Sequence, residues 1–141
     1  MSIFGMSSVT VGFTNGCYDI LHVGHIKLFN YLKSKCDCVT IGIDSDSRVK
    51  ALKGKNRPFN NQADRKFMLE SLSTVDRVII FNSEEELVEM IKNISPDLMV
   101  VGSDYKDKRV VGSEHAKRLE FFEKIDGYST TKILQGSPNR R

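Results

Sequence analysis

Val9-Thr10-Val11-Gly12-Phe13-Thr14-Asn15-Gly16-Cys17-Tyr18-Asp19-Ile20-Leu21-His22-Val23-Gly24-His25 decides the reading of this chain. It opens on an apolar, β-branched run, Val9 to Thr14, of the kind that forms a strand buried on both faces. Turn-forming residues follow, and helical spacing takes over from Leu21 to Leu32. A strand that feeds a helix in this way is the first half of a βαβ unit.

Outward from that stretch the alternation repeats. Further apolar runs at Val39 to Ile43, Val78 to Phe81 and Leu98 to Val101 are expected strands, and Leu119 to Ile125 is expected as a fifth, edge strand because Glu120 and Glu123 interrupt it. Helical spacing covers Ser45 to Leu52, Asn61 to Leu72 and Ser83 to Ile94. Asn61 is an N-cap residue type, and Ser83 followed by Glu86 has the form of a capping box. Strands alternating with helices imply right-handed crossovers, so the predicted fold is α/β: a single Rossmann-like, doubly wound domain with a five-stranded parallel sheet and helices on both faces. The domain is expected over residues 9–134, with a flexible N-terminus at 1–8 and a flexible tail at 135–141.

A length of 141 residues suits one domain with one core. The net charge of +3 comes from interspersed Lys, Arg, Asp and Glu, so no basic block calls for a nucleic-acid partner, while small anionic substrates are compatible. No apolar run approaches the roughly 20 residues of a membrane span, and the opening MSIFGMSS lacks a secretory pattern, which predicts a cytoplasmic protein. Cys17, Cys36 and Cys38 are read as reduced thiols, because the spacing for a zinc site is incomplete.

In a parallel sheet of this kind ligands gather at the carboxyl ends of the strands. His22 and His25 follow the first strand, three apart on an expected first helical turn, with Gly24 between them allowing close approach. Two imidazoles beside the amides of a helix N-terminus read as a phosphate site. The cluster Lys50, Lys53, Lys55 and Arg57 after the second strand is either a grip on a triphosphate or a solvated basic loop. Arg65 either joins that anion site or pairs with a surface carboxylate. Gly102-Ser103-Asp104-Tyr105 and Asp126-Gly127-Tyr128-Ser129-Thr130-Thr131 fall at the same end of the sheet, and Ser129 or Thr130 is expected to cap a short helix facing a phosphate or ribose.

These residues carry a resemblance. His22-Val23-Gly24-His25 with Ser129-Thr130-Thr131-Lys132-Ile133 is similar to the H-x-G-H and S-T-T-x-I signatures of the cytidylyltransferase-like nucleotidyltransferase superfamily, over about Val9 to Leu134. Asn15 to Asp19, Ser45 to Gly54, Arg57-Pro58 and Gly102 to Tyr105 resemble the heptose 1-phosphate adenylyltransferase type, although Ser103 replaces a glycine common there. The resemblance implies transfer of a nucleoside monophosphate from ATP, or from CTP, to a phosphorylated sugar or polyol, with pyrophosphate released. A glycerol-3-phosphate-type cytidylyltransferase and adenylyl transfer to a flavin or pantetheine phosphate are the alternatives.

It further implies that His22, His25 and Lys53 are catalytic, and that Cys17, Tyr18, Gly24, Lys55 and Arg57 bind nucleotide. Gly102, Asp104, Gly127, Ser129 and Thr130 join them on the nucleotide, while Asp19 and Arg65 bind the acceptor. Mg2+ is expected to arrive with the triphosphate rather than in a protein cage, and a homodimer is implied.

Overall fold

The computed structural model describes residues 9–123. The terminal segments expected at 1–8 and 135–141, and the cluster Gly127, Ser129 and Thr130, lie outside the described residues.

Five strands alternate with helices: β1 (Val11–Gly16), α1 (Val23–Lys35), β2 (Cys38–Asp44), α2 (Asp46–Lys53), α3 (Gln62–Glu70), β3 (Arg77–Phe81), α4 (Glu84–Ile94), β4 (Leu98–Gly102) and β5 (Leu119–Phe122). They form one parallel sheet in the order β3-β2-β1-β4-β5. The chain winds outward from β1 to β3, then crosses back to place β4 on the other side of β1. The reversal lies between β1 and β4, where such sheets open a crevice at their carboxyl ends.

Both faces of the sheet are covered, which explains why its strands show no polar side. Along β4, Leu98 and Val100 enter one core with Phe29 and Leu32 of α1, Leu69 of α3 and Val39, Ile41 and Ile43 of β2. Met99 and Val101 point to the opposite core with Phe13, Phe81 and, from α4, Leu87 and Ile91. Each fully buried side chain of this size contributes about 1.5–3 kcal/mol of transfer free energy. Helix α1 lies so near β1 that a Cβ on Gly12 would stand 2.8 Å from Leu32 Cδ2.

Among the described residues the expected strands and helices are present, with shifted ends. Strand β1 extends through Asn15 and Gly16, which pair with Gly42 and Ile43. α1 starts at Val23 rather than Leu21 because His22 is its N-cap. Asn61 caps α3, its side chain accepting from the Asp64 amide at 2.9 Å. The Ser83 hydroxyl accepts from the Glu86 amide at 3.1 Å, but the Glu86 carboxylate reaches back to the Asn82 amide, one residue before the cap. Among the described residues β5 bonds only to β4, as an edge strand does, and ends at Phe122. Two 3-10 turns, Ser103–Tyr105 and Ser113–His115, occupy the stretch between β4 and β5, where no element was expected. Among the described residues no helix is long and apolar enough to cross a membrane.

Candidate active site

A cleft of about 660 Å³ opens at the carboxyl ends of the strands, lined by residues at or just beyond the ends of all five. His22 and His25 sit in it where β1 passes into α1. His22 stands one step outside the helix, in extended conformation (φ −141°, ψ 176°), and its Nδ1 accepts the Gly24 amide at 3.1 Å. The His22 amide in turn donates to His25 Nδ1 at 3.3 Å. The rings stack, with centroids 3.7 Å apart and planes 22° apart. Because each Nδ1 accepts a hydrogen bond, the proton of each neutral ring belongs on Nε2, an assignment that follows from the bonding. The pair therefore shares a face, but one member does so as a cap.

Gly24 allows the close approach expected of it. The group that approaches its backbone is the His22 ring: a Cβ at position 24 would meet His22 Cε1 at 3.0 Å and Nδ1 at 3.1 Å. Any larger residue presses on the imidazole.

Behind the histidines stands Tyr18, with a left-handed backbone (φ 50°) and its ring edge against His25 at 4.9 Å and Phe29 at 5.3 Å. Its hydroxyl lies 3.5 Å from Thr14 Oγ1, and burial pushes its pKa up to about 12, so it stays protonated. Although it borders the cleft, it braces His25. Cys17 lines the cleft as well, and burial pushes its thiol up, which keeps it neutral rather than nucleophilic.

Three residues expected on ligands make hydrogen bonds within the protein. Asp19, expected on the acceptor, is buried and accepts the amides of Phe59 and Asn60, each at 2.7 Å, and Arg57 Nε at 3.1 Å. Arg57, expected on the nucleotide, is thus tied to Asp19 and does not line the cleft. Arg65, expected on the acceptor, is 1% exposed. Its guanidinium donates to the carbonyls of Asn60, Cys17 and Asp44 and to Asp46 Oδ1, at 2.8–3.0 Å. These three side chains fasten the loop after α2 to the turn after β1, and among the described residues Arg57 Nη2 is buried without a hydrogen-bond partner.

Of the basic cluster, only Lys53 lines the cleft; Lys50 and Lys55 are exposed outside it. Lys53 makes no ion pair among the described residues, so its charge is uncompensated there. Gly102 borders the cleft after β4, and Asp104 belongs to the 3-10 turn that follows. The cleft also includes residues not expected in the site, among them Asp44, Arg48, Phe81 and Arg109, of which Arg48 alone lies within a stretch that carried the resemblance, Ser45 to Gly54. Asp44 and Arg48 carried one readable signal, an acid and a base four apart across a strand end and the Ser45 cap. Arg109 sits in an irregular stretch and carried none.

The cytidylyltransferase-like family matches residues 13–136. The chain is 48% identical over 123 residues to the bifunctional protein HldE of a Nitratiruptor species, covering 87% of this chain and 26% of that protein. It is 47% identical over 128 residues to the bifunctional protein HldE of Campylobacter fetus subsp. fetus, covering 91% and 28%. The chain thus spans about a quarter of the length of these curated relatives. Among solved structures, it is similar to a lipopolysaccharide core biosynthesis protein from Thermoplasma volcanium, with TM-score 0.69 and 23% identity over 84% of this chain and 100% of that one. It is also similar to a pantothenate synthetase from Thermus thermophilus, with TM-score 0.67 and 13% identity over 97% of this chain and 66% of that one. At such identities these two structures speak for the fold alone.

Proposed function

The chain belongs to the cytidylyltransferase-like family, and on that premise we propose that it is a nucleotidyltransferase that moves the nucleoside monophosphate of ATP onto a heptose 1-phosphate-like sugar phosphate. The observation that carries this reading is the stacked His22–His25 pair, held by its own helix cap in the cleft at the β1–β4 reversal.

An oxygen of the acceptor phosphate attacks the α-phosphorus, forming a new P–O bond as the bond to the oxygen bridging to the β-phosphate breaks and pyrophosphate leaves. A sugar phosphate is largely ionised near neutral pH, its second pKa being about 6, so no strong base is needed. The protein's part is positioning and stabilisation of negative charge. His22 and His25 donate through Nε2, and Lys53 supplies positive charge. Preference for ATP over CTP follows from the likeness of Asn15 to Asp19 and Gly102 to Tyr105 to the heptose type.

Magnesium demands oxygen ligands in a near-octahedral shell and commonly keeps waters and substrate phosphates for them. Among the described residues no group of three His, Cys, Asp or Glu is gathered to hold a metal, and Asp44 in the cleft is engaged by Arg48. This donor set fits a cation carried by the triphosphate, where it would neutralise phosphate charge.

The deciding experiment measures pyrophosphate release with ATP and CTP against heptose 1-phosphate, glycerol 3-phosphate, flavin mononucleotide and phosphopantetheine. ATP with heptose 1-phosphate should be most efficient, and a clear advantage for CTP would overturn the heptose-type assignment. Homodimeric state and cytoplasmic location go with the same reading, to be tested by light scattering and cell fractionation.

A further inference from the structure

We infer that the Asp44–Arg48 pair is the element that recognises the hydroxyl groups of the acceptor sugar, an assignment that rests on the nucleotidyltransferase reading and gives its acceptor site a chemistry. The pair lies in the cleft at the end of β2 and the start of α2. That is one flank of the histidines, shared with Lys53 of α2; Gly102 and Tyr105 lie on the other, after β4.

Arg48 is clamped. Its Nε donates to Asp44 Oδ1 at 2.6 Å, and its guanidinium carbon stands 5.4 Å from the centroid of the Phe81 ring. One edge of the fork and one of its faces are therefore already held, which lowers the entropy cost of presenting the remaining donors. Arg48 Nη1 and Nη2 and Asp44 Oδ2 make no hydrogen bond among the described residues, and the side chains are 24% and 13% exposed. The pair thus offers fixed donors next to a fixed acceptor.

Charge decides what such a pair prefers. Arg48 is already neutralised by Asp44, and a phosphate brought to it would also face the carboxylate. Lys53, with no ion pair among the described residues, is the better phosphate partner. A polyol suits the Asp44–Arg48 pair because each hydroxyl both donates and accepts: one hydroxyl donates to Asp44 Oδ2 while its neighbour accepts from an Arg48 Nη. A site built on such bonds rejects acceptors lacking the hydroxyls, since its own groups are then left unpaired.

The test uses Arg48→Gln and the near-isosteric Asp44→Asn. Each should raise KM for heptose 1-phosphate about tenfold or more, as expected for loss of a charged hydrogen bond, with KM for ATP within twofold of wild type. Equal increases in both KM values, or none, would overturn the inference. Calorimetric titration of heptose 1-phosphate into wild type and Arg48→Gln, with and without ATP, separates this inference from the reading beneath it. Binding by wild type that Arg48→Gln loses supports the sugar site even if no pyrophosphate is released, whereas equal binding to both proteins, or none to wild type, overturns it.

Discussion

His22 and His25 cap one another: the first ring accepts an amide of the helix it begins, and the second accepts the amide of the first, with the ring centroids 3.7 Å apart. Each imidazole thus serves the backbone through Nδ1, which places the proton of the neutral ring on Nε2.

The two duties separate in His22→Asn. Asparagine is a strong N-cap, so the helix end should hold, whereas turnover should fall on the order of a hundredfold, as when an oxyanion donor is removed. His22→Ala should lose the same turnover and, in addition, about 1 kcal/mol of stability, and His25→Ala should lose comparable turnover. Steady-state kinetics beside thermal unfolding reads both effects. Near wild-type turnover in His22→Asn would take the imidazole out of the chemistry.

Gly24→Ala is expected to fold and to work poorly. Alanine favours a helix interior by about 1 kcal/mol over glycine, which offsets a loosened His22 cap, so stability should hold. The added methyl would stand about 3.0 Å from the His22 ring and push it from its place. Turnover should drop on the order of tenfold, the cost of a displaced reacting group. Unchanged turnover would show that the ring has room to move.

Lys53 and Lys50 stand three apart on α2 and differ in what they face, since only Lys53 lines the cleft. Lys53→Ala should raise KM for ATP about tenfold or more, because a charged hydrogen bond to phosphate is lost. Lys50→Ala should leave it within about twofold, like most surface substitutions. If the two variants behaved alike, α2 would carry no phosphate grip.

Arg65→Ala should cost about 3–5 kcal/mol, the scale of breaking a buried ion pair, read as a lower urea midpoint at unchanged slope. Arg65→Lys should recover little, because one ammonium cannot span three carbonyls and Asp46 in the fork geometry. A variant of full stability with poor acceptor use would return Arg65 to the substrate.

Much of this arrangement was legible in the residues themselves. Val39 to Ile43 and Leu98 to Val101 announced strands covered on both faces, and Asn61 and Ser83 marked helix starts, because apolar runs and caps act over a few neighbouring residues. The closeness of His22 and His25 was legible for the same reason, one helical turn being short enough for sequence spacing to bring two rings together. The duties of Asp19, Arg57 and Arg65 were not legible. Asp19 meets the Phe59 amide 40 positions away and Arg65 the Cys17 carbonyl 48 positions away, and a charged residue looks the same in a sequence whether it waits for a phosphate or closes a loop. Asp44 and Arg48 were close in sequence, yet only the packing of β2 beside β3 placed Phe81 against the guanidinium and turned the pair toward the cleft. Local interactions set the elements and their caps. Which charges pair within the protein and which face the cleft was decided by long-range contacts, because burial and the choice of partner belong to the folded chain as a whole.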